Sequence, residues 1–104
     1  MQDKIVPGTV SVLFSCANGT TVTGQDVYVV GAPAQLGGWD TTKALKLGPS
    51  SYPTWTGTVA GLASNSPIEW KCIKKQGTSV VWQPGANNVV TTPASGSTTA
   101  SGSF

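Results

Sequence analysis

The chain contains no histidine and no arginine among its 104 residues. Without histidine, a Ser-His or Cys-His nucleophile pair cannot be assembled. Only four acidic residues occur: Asp3, Asp26, Asp40 and Glu69. Hydrolysis by paired carboxylates needs two of them flanking the scissile bond. Asp3 belongs to a terminus expected to fray over residues 1–5, and nothing in the sequence suggests a cleft around Asp40 and Glu69. Cys16 and Cys72 are far apart and fit no metal-ligand spacing, and no glycine-rich loop ends in the Lys-Ser/Thr of a phosphate cradle. Neither catalysis nor a metal or cofactor is therefore expected. No stretch approaches the roughly 18 apolar residues of a membrane helix, so no membrane partner is expected.

The six lysines are Lys4, Lys43, Lys46, Lys71, Lys74 and Lys75, and net charge is +2. That is too little, spread too widely, to draw a polyanion into a basic groove. Met1-Gln2-Asp3-Lys4 leads directly into strand-like sequence with no leader pattern. Few charges with many Ser, Thr and Gly suit a secreted, extracellular β-module, and an initiator Met on such a module suggests a piece of a longer parent. The length suits a single domain, 1–104, with a core of its own. Cys16 and Cys72 read equally well as a bridge or as two buried thiols.

Along the chain, Val10, Val12, Phe14 and Cys16 alternate with Ser11, Leu13 and Ser15, which predicts a strand buried on one face. Further strands are predicted over 26–30, 43–47, 55–59, 68–75, 79–83 and 89–92. Gly48 to Pro53 and Gly61 to Pro67 read as loop and turn from their proline, glycine and serine. The tail, 93–104, has the composition of a linker. Seven or eight short strands with turns every roughly 8–12 residues point to an all-β sandwich or barrel.

Four tryptophans in so small a chain need reasons. Trp55 and Trp70 lie inside strands and most simply fill the core. Trp39 follows Gly37-Gly38 at the end of a loop, and Trp82 precedes Pro84-Gly85 at a strand end. Trp39 is then either a lid folded back on the core or a face displayed to a flat partner. Two aromatic faces at one rim can grip a sugar ring, with Lys71, Gln83, Asn87 and Asn88 near enough to bond its hydroxyls. Nucleic-acid bases also stack on such faces, but a single-stranded nucleic-acid binder wants a basic groove. An immunoglobulin-like protein-interaction domain needs no exposed tryptophan.

Five pieces in order carry a family resemblance: Val10-Ser11-Val12-Leu13-Phe14; Val27-Tyr28-Val29-Val30-Gly31 followed by Leu36-Gly37-Gly38-Trp39; Trp55; Ile68-Glu69-Trp70-Lys71; and Val81-Trp82 with Asn87. Together they resemble the starch-binding domains of carbohydrate-binding module family 20. More narrowly, they are similar to the C-terminal modules of bacterial maltotetraose-forming amylases. The resemblance implies an all-β, immunoglobulin-like antiparallel β-sandwich of about seven or eight strands that binds starch, amylose, malto-oligosaccharides and cyclodextrins. It implies a non-catalytic, monomeric module tethering a covalently linked amylase domain to granular starch.

By the same resemblance, one site is built on Trp39 and Trp82 with Lys71 and Asn87, and Glu69 supports Lys71. Gln83 joins that site as a neighbour of Trp82. A second site in some members uses two tyrosines. One matches Tyr52, and the other falls near Thr23, which leaves that site weakened, rebuilt with Trp55 or another residue, or absent. Where fungal members have phenylalanine this chain has Cys72, so the resemblance keeps both a free thiol and a bridge to Cys16 open. Gly96 to Phe104 becomes the last strand.

Overall fold

A computed structural model describes residues 8–104. The fraying expected of residues 1–5 lies outside them. The described chain forms nine strands: β1 (Thr9–Ala17), β2 (Asp26–Gly31), β3 (Leu45–Lys46), β4 (Gly48–Ser51), β5 (Thr54–Ala63), β6 (Pro67–Gln76), β7 (Ser79–Trp82), β8 (Asn88–Thr91) and β9 (Ser97–Ser103). Two sheets face each other. One has the order β4-β5-β1-β9; the other has β3-β2-β6-β7, with β8 also on β6.

The all-β sandwich expected from the sequence is what forms, with one strand more than the upper count. That strand is β4, in a segment read as loop. It lies at the sheet edge, where Pro49 removes no ladder bond that matters. A second departure is orientation. β9 runs parallel to β1, from Ser11 opposite Ser97 to Ala17 opposite Ser103, so that sheet is mixed and not purely antiparallel.

The period-two pattern of β1 does what it predicted: Val10, Val12, Phe14 and Cys16 are buried between the sheets. From the facing sheet come Val27 and Val29 of β2 and Ile68, Trp70 and Cys72 of β6. Trp70 is fully buried with its ring edge-on to Phe14, centroids 4.9 Å apart. Trp55 is also in this core, its indole N–H donating to the Gly19 carbonyl at 2.7 Å. A register shift between Val10 and Val12 against β5 moves the next inward residue from position 61 to Leu62. Cys16 and Cys72 are bonded, tying β1 of one sheet to β6 of the other.

The tail needs its small residues. A Cβ on Gly102 would come within 2.7 Å of the Asn88 amide nitrogen, 3.1 Å of the Trp70 ring and 3.2 Å of the Cys72 sulfur. Gly102, together with the small buried Ala100, lets β9 close over a core already filled by tryptophan and disulfide.

Candidate functional site

Strand β6 organises the outer face of the five-stranded sheet. Residues 68, 70 and 72 point to the core, which sends Glu69, Lys71, Ile73 and Lys75 outward. The ladder sets Lys46, Tyr28, Ile73 and Trp82 in one row across that face. Val30 and Ile73 are fully buried yet stand outside the inter-sheet core. What lies on their side is Trp82, directly opposite Ile73, and the long excursion between β2 and β3 that carries Trp39.

That excursion leaves β2 at Gly31, where the backbone is tight enough that a Cβ would meet the Glu69 carbonyl oxygen at 2.6 Å. It makes one 3-10 turn over Ala34–Leu36, burying Leu36, and then passes through three successive left-handed residues: Gly37 (φ 87°), Gly38 (φ 59°) and Trp39 (φ 66°). Glycine adopts this conformation freely, whereas for Trp39 it costs about 1–2 kcal/mol. The Trp39 N–H donates to the Gly31 carbonyl at 2.8 Å, closing the loop's base. Asp40 then caps a second 3-10 turn, Thr41–Lys43, accepting from the Thr42 N–H and hydroxyl. Those two bonds hold the Asp40 carboxyl below its ordinary pKa, with Lys43 and Lys75 adding a smaller pull in the same direction.

The result is a pair of indoles. Trp39 is half-buried and Trp82 is 43% exposed. Their rings stand 6.4 Å apart and are inclined at 40°. Trp39 is therefore neither a lid on the inter-sheet core nor coplanar with its partner. Two tilted faces follow a curved ligand, where two coplanar faces would suit a flat one.

Lys71 lies beside them, across the ladder from Val30. Its ammonium donates to the carbonyls of Gln83 and Gly85, so two of its three hydrogens hold the loop that follows Trp82 and one remains. The same loop brings Asn87 back, its amide donating to Glu69 at 2.9 Å. Glu69 therefore orients Asn87; it does not support Lys71, as the resemblance implied. That bond leaves the Asn87 carbonyl oxygen open as an acceptor, on the same loop that Lys71 holds.

Gln83 does not join the site. Trp82 points outward, so its neighbour turns inward: Gln83 is 7% exposed, accepts from the Cys72 N–H at 3.0 Å and exchanges two bonds with the Asn88 amide. It fills the gap where the edge of β6 passes from β7 to β8. Asn88 is consumed in the same pairing.

On the other sheet, Tyr52 is 50% exposed, and its hydroxyl accepts from the Thr21 N–H at 3.1 Å, which lowers its pKa. Trp55 cannot rebuild a surface beside it, because it is 3% exposed and packs edge-on beneath the tyrosine, centroids 6.2 Å apart. Lys75 was not singled out from the sequence. Its ammonium donates to the Thr41 carbonyl at 2.7 Å and sits 4.7 Å above the Tyr28 ring. No local signal links positions 34 apart.

A family model described as "Starch binding domain" matches residues 9–101. A cyclomaltodextrin glucanotransferase of Klebsiella oxytoca is 46% identical over 91 residues, covering 84% of this chain and 14% of that protein. A glucan 1,4-alpha-maltotetraohydrolase of Roseateles saccharophilus is 44% identical over 102 residues, covering 93% of this chain and 18% of that one. Among solved structures, the family 20 module of a maltotetraose-forming amylase from Pseudomonas saccharophila superposes with a TM-score of 0.79 at 42% identity, covering 90% of this chain and 99% of that one. A glucoamylase of Hypocrea jecorina gives 0.83 at 32% identity, covering 95% of this chain and 18% of that one. The chain thus spans less than a fifth of the length of either curated relative, the glucanotransferase (14%) or the maltotetraohydrolase (18%).

Proposed function

The chain belongs to the starch-binding domain family, a family of non-catalytic carbohydrate-binding modules, and from that premise we propose that Trp39 and Trp82 form its main glucan site. A helical α-1,4-glucan presents successive rings at an angle, and the two indoles meet it at 40°. That inclination is the observation that carries the reading; the third Lys71 hydrogen and the open Asn87 oxygen, both at the loop that follows Trp82, add a donor and an acceptor. Sugar faces pack on the indoles, while the donor and the acceptor take ring hydroxyls.

Stacking on one aromatic is worth about 1–3 kcal/mol if sugars resemble bases. Two platforms and a few hydrogen bonds give roughly micromolar to millimolar affinity. Weak sites suit a tether that moves over a surface, and the role we infer is to hold an attached amylase, secreted with it, on granular starch. Tyr52 offers a second, single platform on the other sheet; occupied together with the first site, it would add avidity through effective concentration.

The test is titration with β-cyclodextrin, a cyclic mimic of curved starch. Trp39→Ala and Trp82→Ala are each expected to weaken binding about ten- to hundredfold with the fold intact by circular dichroism. Equal binding by folded variants would remove the site from this face, and no binding by the unsubstituted protein would turn the search to protein partners.

A further inference from the structure

We propose that Lys75 is a positioning residue that fixes the Trp39 loop over the glucan site, an inference that rests on the assignment of that site to Trp39 and Trp82. Trp39 sits in a left-handed conformation that a bulky side chain keeps only where its surroundings over-determine it. The side of the loop before Trp39 is tied by its own backbone, through the Gly31–Gly37 bridge and the Trp39 N–H on Gly31. The side after it, Asp40 to Ala44, is one short 3-10 turn with only local bonds of its own. Among the described residues, the side-chain hydrogen bond reaching that segment from either sheet comes from the Lys75 ammonium, 2.7 Å from the Thr41 carbonyl.

The anchor is itself firm. Lys75 lies in the ladder between Asp26 and Val80, and its ammonium stands over the Tyr28 ring at 4.7 Å, where a cation is attracted to the aromatic face. Tyr28 is in register with Ile73, and Ile73 with Trp82. The tie from Thr41 to Lys75 to Tyr28 therefore joins the loop of one indole to the strand row of the other. Lys71, on the same face of β6, does the corresponding thing for the loop after Trp82, through the Gln83 and Gly85 carbonyls. Two lysines flanking Ile73 on the outward face of β6 thus clasp the two loops, and together they set the distance and inclination of the indole pair.

Lys75→Met and Lys75→Arg test this with β-cyclodextrin as the probe. Lys75→Met is expected to weaken binding about three- to tenfold. Amide exchange over Trp39–Ala44 in the unliganded protein should quicken, while exchange in the core strands stays unchanged. Arginine also donates and also stacks on an aromatic face, so Lys75→Arg is expected to retain more of both properties than Lys75→Met. Unchanged affinity with Lys75→Met overturns the proposal. Weaker binding with unchanged exchange overturns it as well, since Lys75 would then touch the ligand directly. If Lys75→Met loses the fold, a Lys75→Arg variant that folds yet binds like the parent upholds the clasp, and one that binds as weakly as Trp39→Ala overturns it. Should the unsubstituted protein fail to bind, or Trp39→Ala and Trp82→Ala bind as tightly as the parent, the glucan reading itself falls and this role with it; a parent that binds, tryptophan variants that do not, and unchanged affinity with Lys75→Met mark a failure of Lys75 alone.

Discussion

A single amide decides how the site is separated from its frame. Gln83 is one residue past Trp82, and by position it looks like a sugar-binding group. It is instead a buried bracket, answering the Cys72 N–H and the Asn88 amide. Replacing it with leucine removes these bonds and orphans buried partners, each worth about 1–3 kcal/mol. Gln83→Leu is therefore expected to lower stability by about 2–4 kcal/mol, read as a lower urea midpoint at unchanged slope. A variant as stable as the parent would mean that water reaches the Cys72 amide and that the bracket is dispensable. The residue pair Glu69 and Asn87 teaches the same lesson in reverse. Both were expected near the ligand and both are at the surface, but the carboxylate is spent on aiming the amide.

At the scale of elements, β6 does most of the assembling. It pairs with β2, β7 and β8, sends Glu69, Lys71, Ile73 and Lys75 to the outer face, and anchors the disulfide from its inner face. The bond between Cys16 and Cys72 closes a loop with a sequence separation of 56. Constraining the unfolded chain to that extent contributes about 4 kcal/mol in the chain-entropy model. The double variant Cys16→Ser, Cys72→Ser is expected to melt roughly 15 °C or more below the parent, measured by calorimetry. A melting point within a few degrees would show that the core of Phe14, Trp70 and Leu62 holds the two sheets unaided. Strand β9 shows how composition misleads. Its Ser, Thr, Gly and Ala read as linker because a strand is normally recognised by bulky inward residues, and here the inward volume is already taken by Trp70 and the disulfide.

Across the whole molecule, charge is segregated. Every described charged residue lies on the five-stranded sheet or its loops, and none on β4, β5, β1 or β9. Even there, the glucan proposed as ligand is neutral, so binding should depend little on ions. Affinity for β-cyclodextrin is expected to change by less than about twofold between about 50 and 500 mM salt. It is also expected to be flat from about pH 5 to 8, as the chain has no histidine. Asp40, which caps the turn after Trp39, fits this. Its folded pKa lies below the ordinary 3.8, so the stabilisation it provides is complete above that value and is lost only as pH falls through the lower folded one. Isothermal titration at both salts and across that pH range checks both expectations, and a steep fall with salt would show that charged groups of the protein, and not the stacked indoles, govern the affinity.

By itself, the sequence determined the class of fold and the residues worth watching. Alternation in β1 named its core face, the glycines at 37 and 38 marked the loop that presents Trp39, and the absence of histidine ruled out a Ser-His or Cys-His nucleophile pair. Such features are local, set by side-chain period and backbone freedom within a few residues. Tertiary structure decided the rest: that Trp39 and Trp82 meet at an incline, that Gln83 turns in while Asn87 faces out, that Trp55 lies under Tyr52, that the cysteines bond, and that Lys75 reaches Thr41. Each of these depends on the registers that lay distant strands side by side. A register is the joint outcome of packing two whole sheets, so no window of neighbouring residues contains it.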